Sequence, residues 1–248
     1  MRRYWIEAEA QKEDGDFLIE GEILHHIKDV CRQELGSRFE LITDQSIAYF
    51  VEVVEVNKKW MRVKVVDTRT VEPLPRPWVH LAVSLPKFVK MDYIIEKSVE
   101  LGVKSIQPFI SDFSFIKKLS ELTDNKRRRW EKIVVSATQQ SGRGDLMSIA
   151  PLTNLENLLK NFNPSDVKRG LFFYEGDSSL TLRQQIESFG NKNVEDIWCF
   201  IGSEGGFSNR EKELFEQLGY PSLTLGAQVL RVETACVVVA SQIKYAFQ

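Results

Sequence analysis

Three prolines within five residues divide this chain of 248 residues into two parts. They stand at positions 73, 75 and 77, where their fixed φ angles and missing N–H groups exclude a helix or a central strand. Such a segment is an extended connector, and a chain of this length is typical of two domains. We therefore expect one domain over residues 1–72, a connector over 73–77 and a second domain over 78–248.

Short stretches of alternating apolar and polar residues fill the first part. Residues 38–41, 48–56 and 60–66 alternate as half-buried strands do, with polar turns between them. Residues 24–35 place apolar side chains on one face and predict a single helix. The first part is therefore expected to be a small β-rich domain, a compact barrel.

Strand and helix patterns alternate after the connector. Strands are predicted over 79–85, 105–109, 170–174, 196–201 and 223–225, and helices over 92–101, 125–140 and 233–247. This alternation predicts an α/β domain with a mostly parallel sheet.

Charge and cysteine content exclude several classes of protein. Lys and Arg number 33 against 35 Asp and Glu, a net charge of −2, so a nucleic-acid site would have to be a local patch. The three cysteines and three histidines form no pattern typical of a disulfide framework or a metal site, so no metal is expected. No signal peptide or membrane-spanning run is apparent, and we expect a cytoplasmic protein.

The most informative segment is an apolar strand that runs into Gly202, Gly205 and Gly206. Ser208 and Glu211 then have the spacing of a capping box, which predicts that a helix begins there. Glycines at the carboxyl end of a parallel strand let a ligand approach the backbone. The spacing matches neither a dinucleotide-binding motif nor a P-loop, and a tight turn without a ligand is an equal alternative.

A second predicted strand also ends at a glycine, Gly226, before a helix. Arg231 and Glu233 interrupt an apolar stretch there, and taken alone this stretch is most simply a turn with a structural Arg–Glu pair. Two such turns on nearby strands predict a shallow cleft lined by backbone groups. Such a cleft suits an organic ligand recognised by its adenine and ribose edges, rather than a triphosphate.

Residues 117–143 hold eight Lys and Arg and three acidic residues, a local charge of 8 − 3 = +5. A solvated helix face is the commoner meaning of such a run. With Arg2 and Arg3 in the other part, a groove for a polyanion is the alternative.

The sequence contains no GxSxG motif, no plausible catalytic Cys–His pair and no cluster of spaced carboxylates. This pattern points away from hydrolases and metal-dependent transferases. It favours chemistry in which a reactive cofactor is positioned by the protein.

Five segments, in their order, carry a family resemblance: Arg2–Tyr4, Lys87 with Glu96–Val103, Gln139–Arg143, Ile201–Gly206 and Leu225–Ala235. Together they resemble the RsmE family of SPOUT-class methyltransferases, which use S-adenosylmethionine to methylate uridine N3 in small-subunit (16S) ribosomal RNA. The resemblance spans nearly the whole chain.

The resemblance implies a PUA-like β-barrel followed by a SPOUT α/β domain with a C-terminal trefoil knot, in which S-adenosylmethionine is held among three loops. The residues expected to bind this cofactor are Tyr174, Glu175, Ile201, Gly202, Ser203, Gly205, Gly206, Leu225, Gly226 and Leu230.

The resemblance also implies a homodimer that binds 16S ribosomal RNA, free or within the small subunit. The residues expected to contact RNA are Arg2, Arg3, Lys87, Arg127, Arg128, Arg129, Gln140 and Arg143. Arg231 is our candidate for stabilising negative charge on the base or for fixing the loop, and Glu204 is a candidate proton acceptor.

Two positions depart from the family pattern. Ser203 stands where relatives usually have proline, so we expect a less preorganised loop. Val232 stands where they usually have threonine, which removes a hydroxyl.

Two other functions stay open: methyl transfer to another RNA nucleotide, in tRNA or ribosomal RNA, and an RNA-binding assembly factor without catalysis.

Overall fold

The structure is a computed structural model that describes residues 2–178, 180–190 and 193–247. It divides into two compact units, of which the first runs to Pro73 and includes Thr138–Leu146. The second consists of Leu74–Ala137 and the chain from Met147 onward. No helix or strand lies between Thr70 and Trp78, where the connector was predicted.

The sequence predicts one domain over residues 78–248, whereas the contacts of the folded chain group Thr138–Leu146 with the first unit. Two contacts explain the difference. The Ser46 hydroxyl donates to the carbonyl of Gly144 at 3.1 Å, and a Cβ at Gly144 would lie only 2.8 Å from Val71. These contacts join residues far apart in sequence, which local patterns do not reveal.

The first unit is built on a five-stranded sheet. Its strands are β1 (Arg3–Trp5), β2 (Phe17–Glu20), β3 (Arg38–Ile42), β4 (Ile47–Val56) and β5 (Trp60–Thr70), in the order β1-β3-β4-β5-β2. β1 is parallel to β3, and the other pairs are antiparallel. The prediction of a β-rich domain is confirmed, and the two strands that it missed are only three and four residues long.

The helix predicted over 24–35 is wrong in its second half. Helix α1 (Gly21–His25) continues as a wider π-helical turn over His26–Val30 and then ends. Arg32 has a φ of 55°, a left-handed conformation that an α-helix does not continue through.

Glu40 on β3 is a buried carboxylate between two arginines. It accepts hydrogen bonds from Arg69 at 3.0 and 3.2 Å and from Arg3 at 2.8 Å. These bonds, those of Arg69 foremost, lower the pKa of Glu40 below its ordinary value of 4.5. The folded protein therefore favours the charged form of this side chain.

Replacing Glu40 by glutamine should lower the free energy of unfolding at pH 7 by about 1–2 kcal/mol, because charge-assisted hydrogen bonds are lost at a buried site. A lowered pKa contributes stability above pH 4.5 that disappears as pH falls through the folded-state pKa. Urea titrations should therefore show the two proteins converging in acid. Glu52→Gln, which breaks a more exposed pair with Arg38, should cost less; an equal cost would contradict this assignment.

The second unit contains an eight-stranded parallel sheet. Its strands are β6 (Trp78–Ser84), β7 (Ser105–Ile110), β8 (Ser148–Ile149), β9 (Thr153–Asn154), β10 (Lys168–Phe173), β11 (Leu180–Thr181), β12 (Asp196–Ile201) and β13 (Ser222–Thr224). The order is β11-β13-β10-β12-β6-β7-β8, with β9 also paired to β7. The predicted parallel α/β domain is confirmed.

Among the described residues, six α-helices follow the first strand of this sheet: α2 (Phe88–Glu100), α3 (Asp124–Ser141), α4 (Leu155–Asn161), α5 (Leu182–Ser188), α6 (Asn209–Gln217) and α7 (Val232–Phe247). The capping box at Ser208 and Glu211 forms as predicted and begins α6. Helices α4 and α5 were not predicted, and each has only seven residues.

Successive residues of the strands point to opposite faces of the sheet. On β12, Cys199 and Ile201 join a mainly aliphatic core, whereas Phe200 joins an aromatic core with Phe172 and Phe215. Burial raises the pKa of the Cys199 thiol.

The strand order also positions the site. β10 lies between β13 and β12 in the sheet and is parallel to both. In the sequence, a helix separates β10 from β12, and another separates β12 from β13. Their carboxyl ends therefore meet at one edge of the sheet, and the loops that follow them are neighbours.

Candidate active site

The loops that follow β10, β12 and β13 line an open cleft. Its walls are Phe173–Glu175, Ile201–Glu204 with Gly206, Leu223–Leu230, Val232 and Ala235. Only Tyr174, Glu175 and Glu204 among them carry titratable side chains, as expected for a cleft formed mainly by backbone and apolar groups.

Nine of the ten residues predicted to bind a cofactor lie in this cleft. The exception is Gly205, which is exposed and backs onto Phe113 instead. The prediction missed lining residues within or next to the same loops: Phe173, Leu223, Thr224, Ala227, Gln228, Val229, Val232 and Ala235. Except for Gln228, their side chains are apolar or small and carry no signal that distinguishes a cleft wall from a core.

The glycines of the loop after β12 are required by close packing. A Cβ at Gly202 would lie 2.8 Å from the Cα of Gly206, and a Cβ at Gly206 would overlap the Glu175 carboxylate. Gly206 has a φ of 68° and donates its N–H to the Ser203 carbonyl at 3.0 Å. The loop is thus folded tightly on itself, and glycine is the residue that permits it.

Ser203 is buried, and its hydroxyl donates to the Phe113 carbonyl at 2.7 Å. A proline at this position could not form that bond. The hydroxyl therefore supplies an anchor of its own, and a less preorganised loop stays a prediction.

Replacing Ser203 by alanine should raise amide hydrogen exchange over residues 202–206 about fivefold, because one hydrogen bond contributes about 1 kcal/mol to closing the loop. Exchange followed by mass spectrometry measures this. Ser188→Ala removes a similar hydroxyl–carbonyl bond at the end of α5 and should leave the loop unchanged. Unaltered exchange in the Ser203 variant would mean that the anchor has no effect.

Glu204, the predicted proton acceptor, is bound to the start of α2. It accepts the backbone N–H of Lys87 at 3.2 Å and lies 3.5 Å from the Lys90 ammonium. The same ammonium lies 3.4 Å from Glu233 at the start of α7. Lys90, on α2, therefore contacts both the loop after β12, through Glu204, and the start of α7, through Glu233. Proton acceptance by Glu204 stays a prediction.

The structural pair expected between Arg231 and Glu233 is wrong, because Glu233 pairs with Lys90. Arg231 is exposed and forms no ion pair or side-chain hydrogen bond with any residue that the structure describes. It lies between Leu230 and Val232, which both line the cleft. Its guanidinium is thus available to a ligand.

The residues predicted to contact RNA differ in accessibility. Lys87, Arg127, Arg128, Gln140 and Arg2 are exposed. Arg2 donates to the Cys31 carbonyl at 2.6 Å, a bond that leaves most of its guanidinium exposed.

Three other predicted RNA contacts are engaged within the protein. Arg129 is bound to Asp92 at 2.7 Å, and Arg3 is held by Glu40. Arg143 is buried, and its guanidinium donates to the carboxylate and the carbonyl of Asp145, both at 2.9 Å; its contact with RNA stays a prediction.

Residues 72–244 match the family described as RNA methyltransferase domain, and residues 19–66 match RNA methyltransferase PUA domain. The chain is 30% identical over 235 residues to ribosomal RNA small subunit methyltransferase E of Aquifex aeolicus, covering 94% of this chain and 96% of the relative. The chain belongs to this methyltransferase E family. The corresponding protein of Buchnera aphidicola subsp. Schizaphis graminum is also 30% identical, over 89% of this chain and 87% of the relative.

Solved structures of methyltransferases have a similar fold. A putative methyltransferase from Legionella pneumophila, in complex with the cofactor SAM, has a TM-score of 0.87 at 26% identity, covering 99% of this chain and 98% of that one. A ribosomal RNA small subunit methyltransferase E from Neisseria gonorrhoeae has a TM-score of 0.83 at 23% identity over 100% and 98%. The family resemblance expected from the sequence is confirmed.

None of the described helices combines the length and apolar character needed to cross a membrane.

Proposed function

We propose that this protein transfers a methyl group from S-adenosylmethionine to N3 of a uridine in 16S ribosomal RNA, in the cytoplasm. The observation that carries the proposal is the cleft formed by the loops after β10, β12 and β13 on an RNA methyltransferase fold. The similar Legionella structure, which holds SAM, supports this choice of cofactor.

The residues of the cleft fit S-adenosylmethionine. Gly226 leaves main-chain atoms open to the adenosine, because nothing lies within 4 Å of the position that a Cβ there would take. Leu225 and Leu230 offer apolar contact to the adenine ring. When bound, the cofactor supplies a sulfonium methyl group that is already electrophilic.

The protein's own part in the reaction is to orient the base and stabilise charge. Uracil N3 becomes nucleophilic when its proton leaves, and negative charge then spreads to the neighbouring carbonyl oxygens. Arg231, exposed beside the cleft, would donate to one of these oxygens. Glu204, held by the N–H of Lys87 and by Lys90, would orient the base or receive its proton.

We further infer a C-terminal trefoil knot of the SPOUT type and a homodimer. The insertion of β10 between β12 and β13 supports the knot. The dimer is supported by an apolar face on α2 and α7, where Val89, Tyr93 and Tyr245 are exposed by 81%, 46% and 92%. Light scattering in solution tests this assembly.

Two measurements test the proposed function. Calorimetric titration with S-adenosylmethionine should give saturable heat, whereas an RNA-binding assembly factor without catalysis should give none. Mass mapping of 16S ribosomal RNA from a strain lacking this protein should reveal one lost methyl group on a uridine. A methyl group lost from another RNA nucleotide would favour the alternative substrate.

A further inference from the structure

Phe113 is an exposed aromatic ring beside the glycine loop of the cleft. Its exposed fraction is 50%, although Ser111 and Ser114 on the same loop are 6% and 3% exposed. The backbone thus buries Ser111 and Ser114 and directs the Phe113 ring outward. No packing role explains the outer half of this ring.

The backbone around Phe113 is fixed on several sides. Its carbonyl accepts the Ser203 hydroxyl at 2.7 Å, and the Asp112 N–H donates to Glu211 at 2.8 Å. The Phe115 N–H donates to the Leu85 carbonyl, also at 2.8 Å. The exposure of the ring is therefore a property of an ordered loop and not of a frayed one.

The inner part of the side chain lies against Gly205. A Cβ at Gly205 would be 2.9 Å from the Cβ and 3.2 Å from the Cγ of Phe113, so any larger residue would displace the ring. Ser203, Glu204 and Gly206 of the same loop line the cleft. The ring therefore lies immediately outside the cleft, on the other side of this loop.

Two exposed lysines, Lys87 and Lys117, lie on backbone segments next to the Phe113 loop. Lys87 is exposed, and its N–H is bound to Glu204, the residue before Gly205. Lys117 is exposed, and its ammonium reaches the carbonyl of Asp112. The carboxylate of Asp112 is paired with Arg210 at 2.9 Å, so it adds little net negative charge.

We propose that Phe113 is a stacking platform for a nucleobase of the RNA substrate, next to the nucleotide that enters the cleft. This inference rests on the proposed function. A nucleotide extracted from the RNA leaves its neighbours unstacked, and an exposed aromatic ring offers a face to such a base. Aromatic rings flanked by lysines are the usual means of holding single-stranded nucleic acid.

The test compares Phe113→Ala with Phe113→Trp and Phe113→Leu. The alanine variant should raise the Kd and KM for 16S ribosomal RNA about 5- to 150-fold, the range of a base–aromatic stack, while the affinity for S-adenosylmethionine is unchanged. Tryptophan should preserve binding, and leucine, which is apolar but not aromatic, should not. Leu218→Ala, at a position of similar exposure on the surface, is the matched control.

Fluorescence of 2-aminopurine in the RNA reads the stack directly. Replacing single bases near the methylated uridine should find one position whose emission is quenched by the wild type and not by Phe113→Ala. This readout does not require methyl transfer, so it tests the stack even if the proposed function fails.

Three results would overturn the proposal. Phe113→Ala could bind RNA as tightly as the wild type, or leucine could restore binding as fully as tryptophan. Alternatively, the alanine variant could change the molar mass in light scattering without changing RNA affinity, which would assign the ring to a protein interface.

Discussion

Arg231→Ala should lower the single-turnover rate of methyl transfer about 100- to 1,000-fold, with RNA and S-adenosylmethionine both saturating. That range is the usual effect of removing one donor that stabilises a developing oxyanion. Arg231 is suited to this role because it lies between two cleft residues and forms no side-chain bond with any described part of the chain. A rapid-quench assay with a labelled methyl group measures the rate.

The controls for Arg231 separate charge from geometry. Arg231→Lys keeps the charge but loses the planar guanidinium, so it should recover only part of the rate. Arg183→Ala removes an exposed arginine on α5 and should leave the rate unchanged. Thermal unfolding of Arg231→Ala should match the wild type, and a wild-type rate in this variant would remove Arg231 from the mechanism.

Gly202→Ala should weaken the binding of S-adenosylmethionine by up to about 100-fold. The new methyl group would lie 2.8 Å from the backbone of Gly206, which cannot move without opening the loop. Overpacking of this kind costs about 1–3 kcal/mol, and the displaced loop forms one wall of the cleft. Calorimetric titration gives the change in Kd.

Gly219→Ala is the matched control for this substitution. Gly219 has a φ of 81° at the end of α6, with nothing within 4 Å of the position of a Cβ. Alanine there should reduce thermal stability slightly through backbone strain and leave cofactor affinity unchanged. Wild-type affinity in Gly202→Ala would show that the loop after β12 does not form the cofactor site.

Features with a short-range physical cause could be predicted well. Strand β12 was predicted with its observed bounds because a run of apolar residues ends at a glycine. The capping box at Ser208 and Glu211 depends on residues three positions apart, and it forms as predicted. The nine cleft residues could be anticipated because the family resemblance supplied the three loops and parallel strands bring their ends together.

Features that depend on distant partners could not be predicted. Arg3 has the charge of an RNA contact, yet folding pairs it with Glu40, which lies 37 positions away in the sequence. Glu233 was expected to pair with Arg231, but Lys90 on another helix is its partner. The residues next to a charged side chain in the sequence do not reveal its ion-pair partner, because that partner comes close only when the chain folds.

The amino-acid sequence alone determined the two-part organisation, the parallel α/β character of the second unit and the glycine turns at Gly202–Gly206 and Gly226. Each follows from backbone preferences and from the periodicity of apolar residues. The tertiary structure decided that Thr138–Leu146 belongs to the first unit, that Ser203 anchors its loop through Phe113, and that the Phe113 ring faces outward. These outcomes depend on contacts between residues about 90 or more positions apart, whose proximity is established only by the packing of the folded chain.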